Sequence, residues 1–196
     1  MICFKYTRTD GAEYLSHLDL MRHIMRTLRR AGIELEKSEG YHAHPRLFLN
    51  SPPPLGIPSV AEYGTAATAF GGDFMSLFNE FSPSGIKCLA AKYSQNNPNY
   101  ANSITSCRYE AEGIDRFDPN LILGLEHIGI TDLRGRLVDI RPRICAIEWQ
   151  GSVLTFTLGA GENNLRADLF CTYLADKFGG RAERILKTDS FGEGVF

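Results

Sequence analysis

Arginine side chains are spaced in one part of this chain so that they could bind an anion. Arg22, Arg26 and Arg29 recur at intervals of four and three residues, which would place them on one narrow stripe of a helix. Guanidinium groups bind phosphates and carboxylates through paired hydrogen bonds. The spacing predicts an anion site, and RNA phosphate is the ligand we favour. The alternative is a solvated helix face without a ligand.

The loop at residues 38–46, which reads SEGYHAHPR, adds to this chemistry. Arg30 and Arg46 supply further cations, Tyr41 offers a ring on which a base could stack, and His44 offers a hydrogen-bonding imidazole. Arg141, in a weaker Arg-Pro-Arg cluster, is the last predicted anion-binding residue. Six residues are predicted to shape the motif, with Ser16 as the helix N-cap and Gly40 at a positive φ: Ser16, Asp19, Glu39, Gly40, Pro45 and Glu62.

Histidines allow two further hypotheses. His17, His42 or His44 could act as general acid or base on a ribose hydroxyl, because imidazoles titrate near neutral pH. His42 and His44 would share a face in an extended chain, but no third ligand has a telling spacing, so we predict no metal. The remaining interpretation is structural, with the histidines and Pro45 fixing the loop against the helix.

Charge and composition favour a local site on a globular protein. The chain has 196 residues, 43% of them hydrophobic, and a formal net charge of −2. Six Lys and Arg residues oppose four acids between Ser16 and Arg46, so this segment carries +2 and the remainder −4. Such asymmetry favours a defined anion site over general nucleic-acid coating.

The five cysteines predict a protein without a cofactor of its own. They contain no C-x-x-C pair, and their spacing cannot hold an iron–sulfur cluster from this chain alone. We interpret them as buried side chains in a reducing cytoplasm. No apolar run is long enough to span a membrane.

The elements that must position these residues follow from periodicity. The order is strand, helix, strand, strand, helix, strand: the predicted elements are Ile2–Thr7, Ser16–Arg30, Leu47–Leu49, Ala61–Ala69, a helix capped by Asp73, and Ile86–Tyr93. A connector containing Pro52, Pro53 and Pro54 cannot form a central strand. This order predicts a split β-α-β, ferredoxin-like unit.

The second half of the sequence is predicted to repeat that order. Its predicted elements are a strand at Ser103–Glu112, a helix from Asp118 to His127, a hairpin of Arg143–Trp149 with Ser152–Leu158, a helix at Leu165–Phe178 and a strand at Arg181–Lys187. Residues 95–102 are polar and predict a linker. We therefore expect an α+β protein with two tandem ferredoxin-like domains, at residues 1–96 and 102–196.

Several motif blocks resemble a bacterial family of radical SAM-linked domains of unknown function. The blocks are YLSHLDLMR at 14–22, RRAG at 29–32, SEGY at 38–41, HPR at 44–46, PLG at 54–56, EY at 62–63 and VDIRP at 138–142. Members are typically fused to, or encoded beside, a radical SAM protein with a B12-binding-like region, which implies a partner that carries the cluster. His42-Ala43 stands where the family usually has Asn-Pro, which argues against His42 as a shared catalytic residue.

These observations lead to three functional hypotheses. The first is a non-catalytic accessory protein that binds RNA, such as tRNA or rRNA, or another anionic substrate for a radical SAM enzyme. The second is a metal-independent endoribonuclease that uses His17, His42 or His44. The third is a protein-interaction adaptor whose arginines meet acidic residues of the enzyme.

Overall fold

The chain folds into a mixed α+β structure, as the sequence predicts. A computed structural model describes residues 1–51, 53–131 and 135–196; Pro52 of the predicted connector lies outside them. The chain divides into two compact units, which we call unit 1 (Met1–Ile104 with Glu193–Phe196) and unit 2 (Thr105–Gly192). Among the described helices, none combines the length and apolarity needed to span a membrane.

Unit 1 contains a four-stranded antiparallel sheet with the order β4-β1-β3-β2. Its strands are β1 (Ile2–Arg8), β2 (Leu47–Leu49), β3 (Ser59–Ala66) and β4 (Cys88–Tyr93). Its helices are α1 (His17–Arg30), α2 (Phe74–Phe81) and the single turn α3 (Tyr100–Ser103). α1 follows β1 and α2 follows β3, so the predicted element order of this half is confirmed.

The core of unit 1 lies between α1, α2 and one face of the sheet. Leu20, Ile24 and Leu28 recur along α1 and are buried, with 1% or less of their surface exposed. The centroid of the Phe4 ring of β1 lies 5.4 Å from that of Phe74 and 5.7 Å from that of Phe78, both on α2. Burying each of these side chains contributes about 1.5–3 kcal/mol, which fixes the inward face of α1. The opposite face is thereby directed to solvent.

Local signals set the ends of α1. The Ser16 hydroxyl accepts a hydrogen bond from the Asp19 backbone N–H at 3.2 Å, and it donates one to the Asp19 carboxylate at 2.7 Å. The predicted N-cap is therefore confirmed. Gly32, at φ 70°, follows the helix in a left-handed conformation that glycine adopts without strain.

Unit 2 contains a sheet with the order β10-β5-β9-β8. Its strands are β5 (Ile104–Ile114), β8 (Ile144–Gln150), β9 (Val153–Gly159) and β10 (Gly180–Gly192), and a separate hairpin pairs β6 (Gly129–Thr131) with β7 (Leu137–Asp139). Its helices are the single turn α4 (Asn120–Leu123) and α5 (Ala167–Phe178). Phe170 of α5 packs edge-to-face on Phe156 of β9, with ring centroids 5.2 Å apart, so α5 covers this sheet.

Two predictions for unit 2 were wrong. The helix expected from Asp118 to His127 is only the single turn α4, because Gly124 follows it and Arg141 binds the carbonyl oxygens of Leu123 and Leu125. Those carbonyls are therefore satisfied without helix continuation. Cys145, expected to be buried, is exposed.

A register shift between Ile144 and Ala146 explains the exposure of Cys145. It puts Ile144 opposite Leu158 and takes Cys145 out of the pairing. The other four cysteines are buried as predicted. Burial raises the pKa of Cys88 and Cys171 to about 12, so these thiols stay protonated.

A buried arginine holds together the segments that lead into α1 and β3. Arg8, at the end of β1, has 1% of its surface exposed. Its guanidinium donates hydrogen bonds to four backbone carbonyl oxygens, those of Ala12, Glu13, Leu15 and Pro53. Burial lowers the pKa of Arg8, and the nearby Glu62 carboxylate is the largest influence in the opposite direction. The cation thus fixes the start of α1 relative to the sheet.

We expect Arg8→Ala to lower the free energy of unfolding by about 3–5 kcal/mol, because it leaves buried carbonyls without donors and Glu62 without its neighbouring cation. Urea unfolding monitored by circular dichroism measures this. Arg184→Ala is the control, since Arg184 is exposed and makes one 3.6 Å ion pair with Glu112; it should change stability by less than about 0.5 kcal/mol. Equal stability of the two variants would contradict the role assigned to Arg8.

Candidate anion-binding site

The solvent face of α1 carries the predicted arginine stripe. Arg22, Arg26 and Arg29 of that stripe, with Arg30 beside them, lie on the side away from the buried leucines and isoleucine, and their side chains reach solvent. Arg29 and Arg30 occupy the last helical turn, where the negative end of the helix dipole favours cations. The dipole therefore helps to accommodate them, although it does not supply partners for their guanidinium donors.

A groove of about 630 Å³ lies between the C-terminal half of α1 and the segment that follows it. Arg26 and Arg29 line it from the helix, and Lys37 lines it from the following segment. Glu34 is the acid that faces this groove. Three cations against one carboxylate make the lining positive, which favours an anionic ligand.

The side chains of Arg26, Arg29 and Lys37 make neither hydrogen bonds nor ion pairs with the described parts of the chain. Their donors therefore face solvent. Lys37 belongs to the basic segment of the sequence but is not among the predicted site residues, because a lone lysine has no spacing signal. Its place in the lining of the groove reveals it. These three residues form what we call the groove triad.

Arg22 and Arg46 are engaged with acids at the surface. Arg22 lies 2.9 Å from the Asp19 carboxylate, and Arg46 lies 3.2 Å from Glu36. The Ser16 hydroxyl, followed by Arg22, lowers the pKa of Asp19. Exposed pairs of this kind are weak and screened by salt, so either guanidinium can exchange its carboxylate for another anion.

Arg30 and Arg141 have structural partners instead. Arg30 donates to the Phe81 carbonyl at 2.7 Å and so links the C-terminal ends of α1 and α2. Arg141 donates to the carbonyl oxygens of Leu123, Leu125 and Ile144, at 2.6 to 3.1 Å. Their guanidinium groups stabilise the backbone, and neither residue lines the groove.

The predicted loop is a short hairpin, which we call the 38–44 loop. At its base Lys37 and Pro45 pair as an isolated antiparallel β-bridge, and the Ser38 backbone N–H donates to the His44 carbonyl at 2.8 Å. The His44 N–H in turn donates to the Ser38 hydroxyl at 3.0 Å. Gly40 has φ 110°, which confirms its predicted positive φ. The loop is therefore closed by backbone groups and the Ser38 hydroxyl, while the His44 side chain is exposed.

Tyr41 lies at the tip of this loop with 98% of its surface exposed. Its ring meets the His42 ring edge-on, with centroids 5.0 Å apart. Lys37 and Pro45, the residues at the base of the loop, both line the groove. The loop therefore rises from one edge of the groove and presents an aromatic ring to solvent.

In the part of the chain that the structure describes, no carboxylate is paired with any of the predicted histidines. The Nδ1 atom of His17 is buried without a hydrogen-bond partner in the described structure. His42 and His44 are exposed, and within the described ranges neither imidazole is paired with a carboxylate. A general base needs an orienting neighbour. Within residues 1–51, 53–131 and 135–196, no group of three ligating side chains could hold a metal.

Glu62 is part of a buried polar cluster rather than of the groove. It is fully buried and accepts hydrogen bonds from the Asn50 amide at 3.0 Å and the Ser59 hydroxyl at 2.6 Å. Burial and the charge of Glu62 raise the pKa of Tyr6 well above its ordinary value. Glu62 and Arg8 thus lie in the interior of unit 1 and not in the lining of the groove. Glu39 is exposed on the 38–44 loop.

Asp139 and Arg141 of the VDIRP block take part in a second network of hydrogen bonds, in unit 2. Asp139 Oδ1 accepts from the backbone N–H groups of Ile128 and Arg141, at 2.9 and 3.0 Å. Asp139 Oδ2 lies 2.8 Å from His127 Nδ1. The hydrogen bond from His127, followed by those from the backbone, lowers the pKa of Asp139 to about 2. The sequence does not reveal this pair, because its pattern predicts a helix that extends to His127.

A family model described as "Uncharacterized protein conserved in bacteria (DUF2344)" matches residues 2–167. This match covers most of the chain, which therefore belongs to that bacterial family. No curated protein matches the sequence.

The low pKa of Asp139 predicts a specific acid sensitivity. The ionised carboxylate stabilises the folded chain above pH about 4, the ordinary range for Asp, and this contribution is lost as the pH falls towards about 2. We expect the melting temperature of the wild type to exceed that of Asp139→Asn at pH 6, and the difference to shrink towards pH 2. Thermal melts from pH 2 to 6 measure it; a constant difference would contradict this assignment.

Proposed function

We propose that this protein is a non-catalytic accessory protein that binds RNA phosphate through the groove triad, on behalf of a radical SAM enzyme. The observation that carries the RNA-binding part is the set of cations Arg26, Arg29 and Lys37, which line one groove without partners in the described structure. The partner enzyme is inferred from the resemblance of the motif blocks to radical SAM-linked domains.

Free guanidinium and ammonium groups are well suited to this role. An arginine that already donates to carbonyls, such as Arg141, would have to break those bonds on binding phosphate. Among the described residues, the groove triad has no such bonds to break. Arg22 and Arg46 form exposed ion pairs that are weak enough to be exchanged for a phosphate. These two arginines therefore extend the basic surface around the groove.

We also propose that both units are ferredoxin-like modules. Counting the main strands of each unit in chain order, both sheets have the order fourth, first, third, second. In both units a helix also connects the third strand to the fourth. This arrangement supports a split β-α-β origin for both units. The fold positions α1, and the groove beside α1 would carry the function.

The double variant Arg26→Ala/Arg29→Ala should bind RNA more weakly than the wild type. Fluorescence anisotropy with a labelled single-stranded RNA, titrated between 50 and 200 mM salt, measures the affinity and its salt dependence. For single strands the slope of log affinity against log salt concentration becomes shallower by about 0.7 for each phosphate that the protein no longer neutralises. For the two arginines we therefore expect a decrease in this slope of about 1.4. Arg26 and Arg29 lie on the solvent face of α1, so the melting temperature should change little.

Arg181→Ala/Arg184→Ala is the matched control, because it also removes two exposed arginines but from β10. Equal decreases in affinity for both double variants would show that net charge alone governs binding. Absence of RNA binding by the wild type, together with complex formation with a radical SAM protein, would support the adaptor instead. Metal-independent RNA cleavage abolished by His44→Ala, at unchanged melting temperature, would identify an endoribonuclease.

A further inference from the structure

The groove has an apolar floor that phosphate binding does not require. Met25, Ile33, Leu35 and Pro45, which we call its apolar floor, line it together with the groove triad. Ile33 is buried, whereas Met25 and Leu35 are half-buried and still present surface to a ligand. A site for phosphate alone would use cations and backbone donors. Apolar side chains and three cations in the lining of one groove instead match a ligand that has both an anionic group and a flat apolar part.

The size of the groove selects among such ligands. A volume of about 630 Å³ falls within the range of about 300–1,000 Å³ typical of small-molecule sites. It can accommodate a nucleotide with its base. In a duplex the faces of the bases are hidden by stacking, and only their edges and the backbone are accessible. An apolar floor can therefore contact a base face only when the strand is single.

The 38–44 loop supplies a second surface for a base. The Tyr41 ring is almost fully exposed at its tip, while the base of the loop lines the groove. The edge-on contact with His42, at 5.0 Å, and the two hydrogen bonds between Ser38 and His44 restrain the loop. Aromatic rings presented beside basic grooves are the surfaces on which successive bases of single strands stack.

We propose that the groove takes single-stranded RNA, with one base on the accessible part of the apolar floor, formed by Met25, Leu35 and Pro45. Arg26 and Arg29 contact backbone phosphates on one side and Lys37 contacts them on the other. Tyr41 stacks on a neighbouring base. This inference rests on the proposed function and specifies its substrate class: unpaired RNA rather than duplex.

The test compares three labelled probes by fluorescence anisotropy: an RNA of about 12 nucleotides, long enough to cover one site of this kind, the same strand annealed to its complement, and an abasic strand with the same number of phosphates. We expect the wild type to bind the single strand about tenfold more tightly than either other probe, since each base stack on an aromatic ring contributes on that scale. The abasic strand isolates the contribution of the bases, because its charge is the same.

Variants of Tyr41 assign the stacking contact. Tyr41→Ala should bind the single strand about tenfold more weakly, with the abasic affinity and the salt slope unchanged, because the ring contacts no phosphate. Tyr41→Phe should retain wild-type affinity. Tyr93→Ala is the control, since Tyr93 is 61% exposed on β4 of the same unit. Its affinity for all three probes should match that of the wild type.

The outcomes separate this inference from the proposed function. Equal affinity for the normal and abasic strands, or tighter binding of the duplex, would overturn base recognition while leaving phosphate binding intact. A Tyr41→Ala variant that binds like the wild type would overturn the stacking contact. Failure to bind any of the three probes would reject the proposed function, and this inference with it.

Discussion

The four hydrogen bonds of Arg8 are the interaction on which unit 1 depends. A planar guanidinium at the end of β1 fixes the carbonyl oxygens of Ala12, Glu13 and Leu15, which lead directly into α1. It also fixes that of Pro53, in the connector before β3. Lysine could not reproduce this, because its single ammonium lacks the fork of donors. The start and direction of α1, and hence the position of its arginines, therefore follow from a residue that lies outside the site.

The arginines of this chain perform two different tasks, and their partners distinguish them. Arg8 and Arg141 donate to backbone carbonyls and organise loops, Arg8 in unit 1 and Arg141 in unit 2. Arg26 and Arg29 have no such partners in the described structure and face a groove. A guanidinium with its donors satisfied gains little from a phosphate, whereas one that faces solvent gains a charge-assisted bond. The chemical identity of the residue alone does not separate these tasks.

This explains which features could be predicted from the sequence. The N-cap of α1 and the positive φ of Gly40 follow from local rules, so the sequence predicts both. The arginine stripe follows from helical periodicity in the same way. The partners of the arginines on α1 cannot be predicted in this way. Arg30, for example, donates to the Phe81 carbonyl, which lies 51 residues away along the chain.

The same limit applies to unit 2. The helix predicted after Asp118 ends at Leu123, because Arg141, eighteen residues further along the chain, binds its last carbonyl. Cys145 is exposed because a register shift beside Ile144 is set by pairing with β9. Local patterns predicted strands and helices, while contacts between distant residues decided their lengths and the side of the sheet that each residue faces.

The groove triad and the stability of the fold are largely independent, and this separation favours a binding role. Arg26 and Arg29 lie three residues apart on α1, and a like-charge pair at this spacing destabilises a helix by about 0.2–0.5 kcal/mol. Arg29 also lies in the last turn of the helix, whose dipole favours a cation by about 0.3–1 kcal/mol. The two effects are of similar size and opposite sign, so the fold neither needs these cations nor is much weakened by them. What stabilises α1 is its buried face and its cap, and its basic face remains available for a ligand.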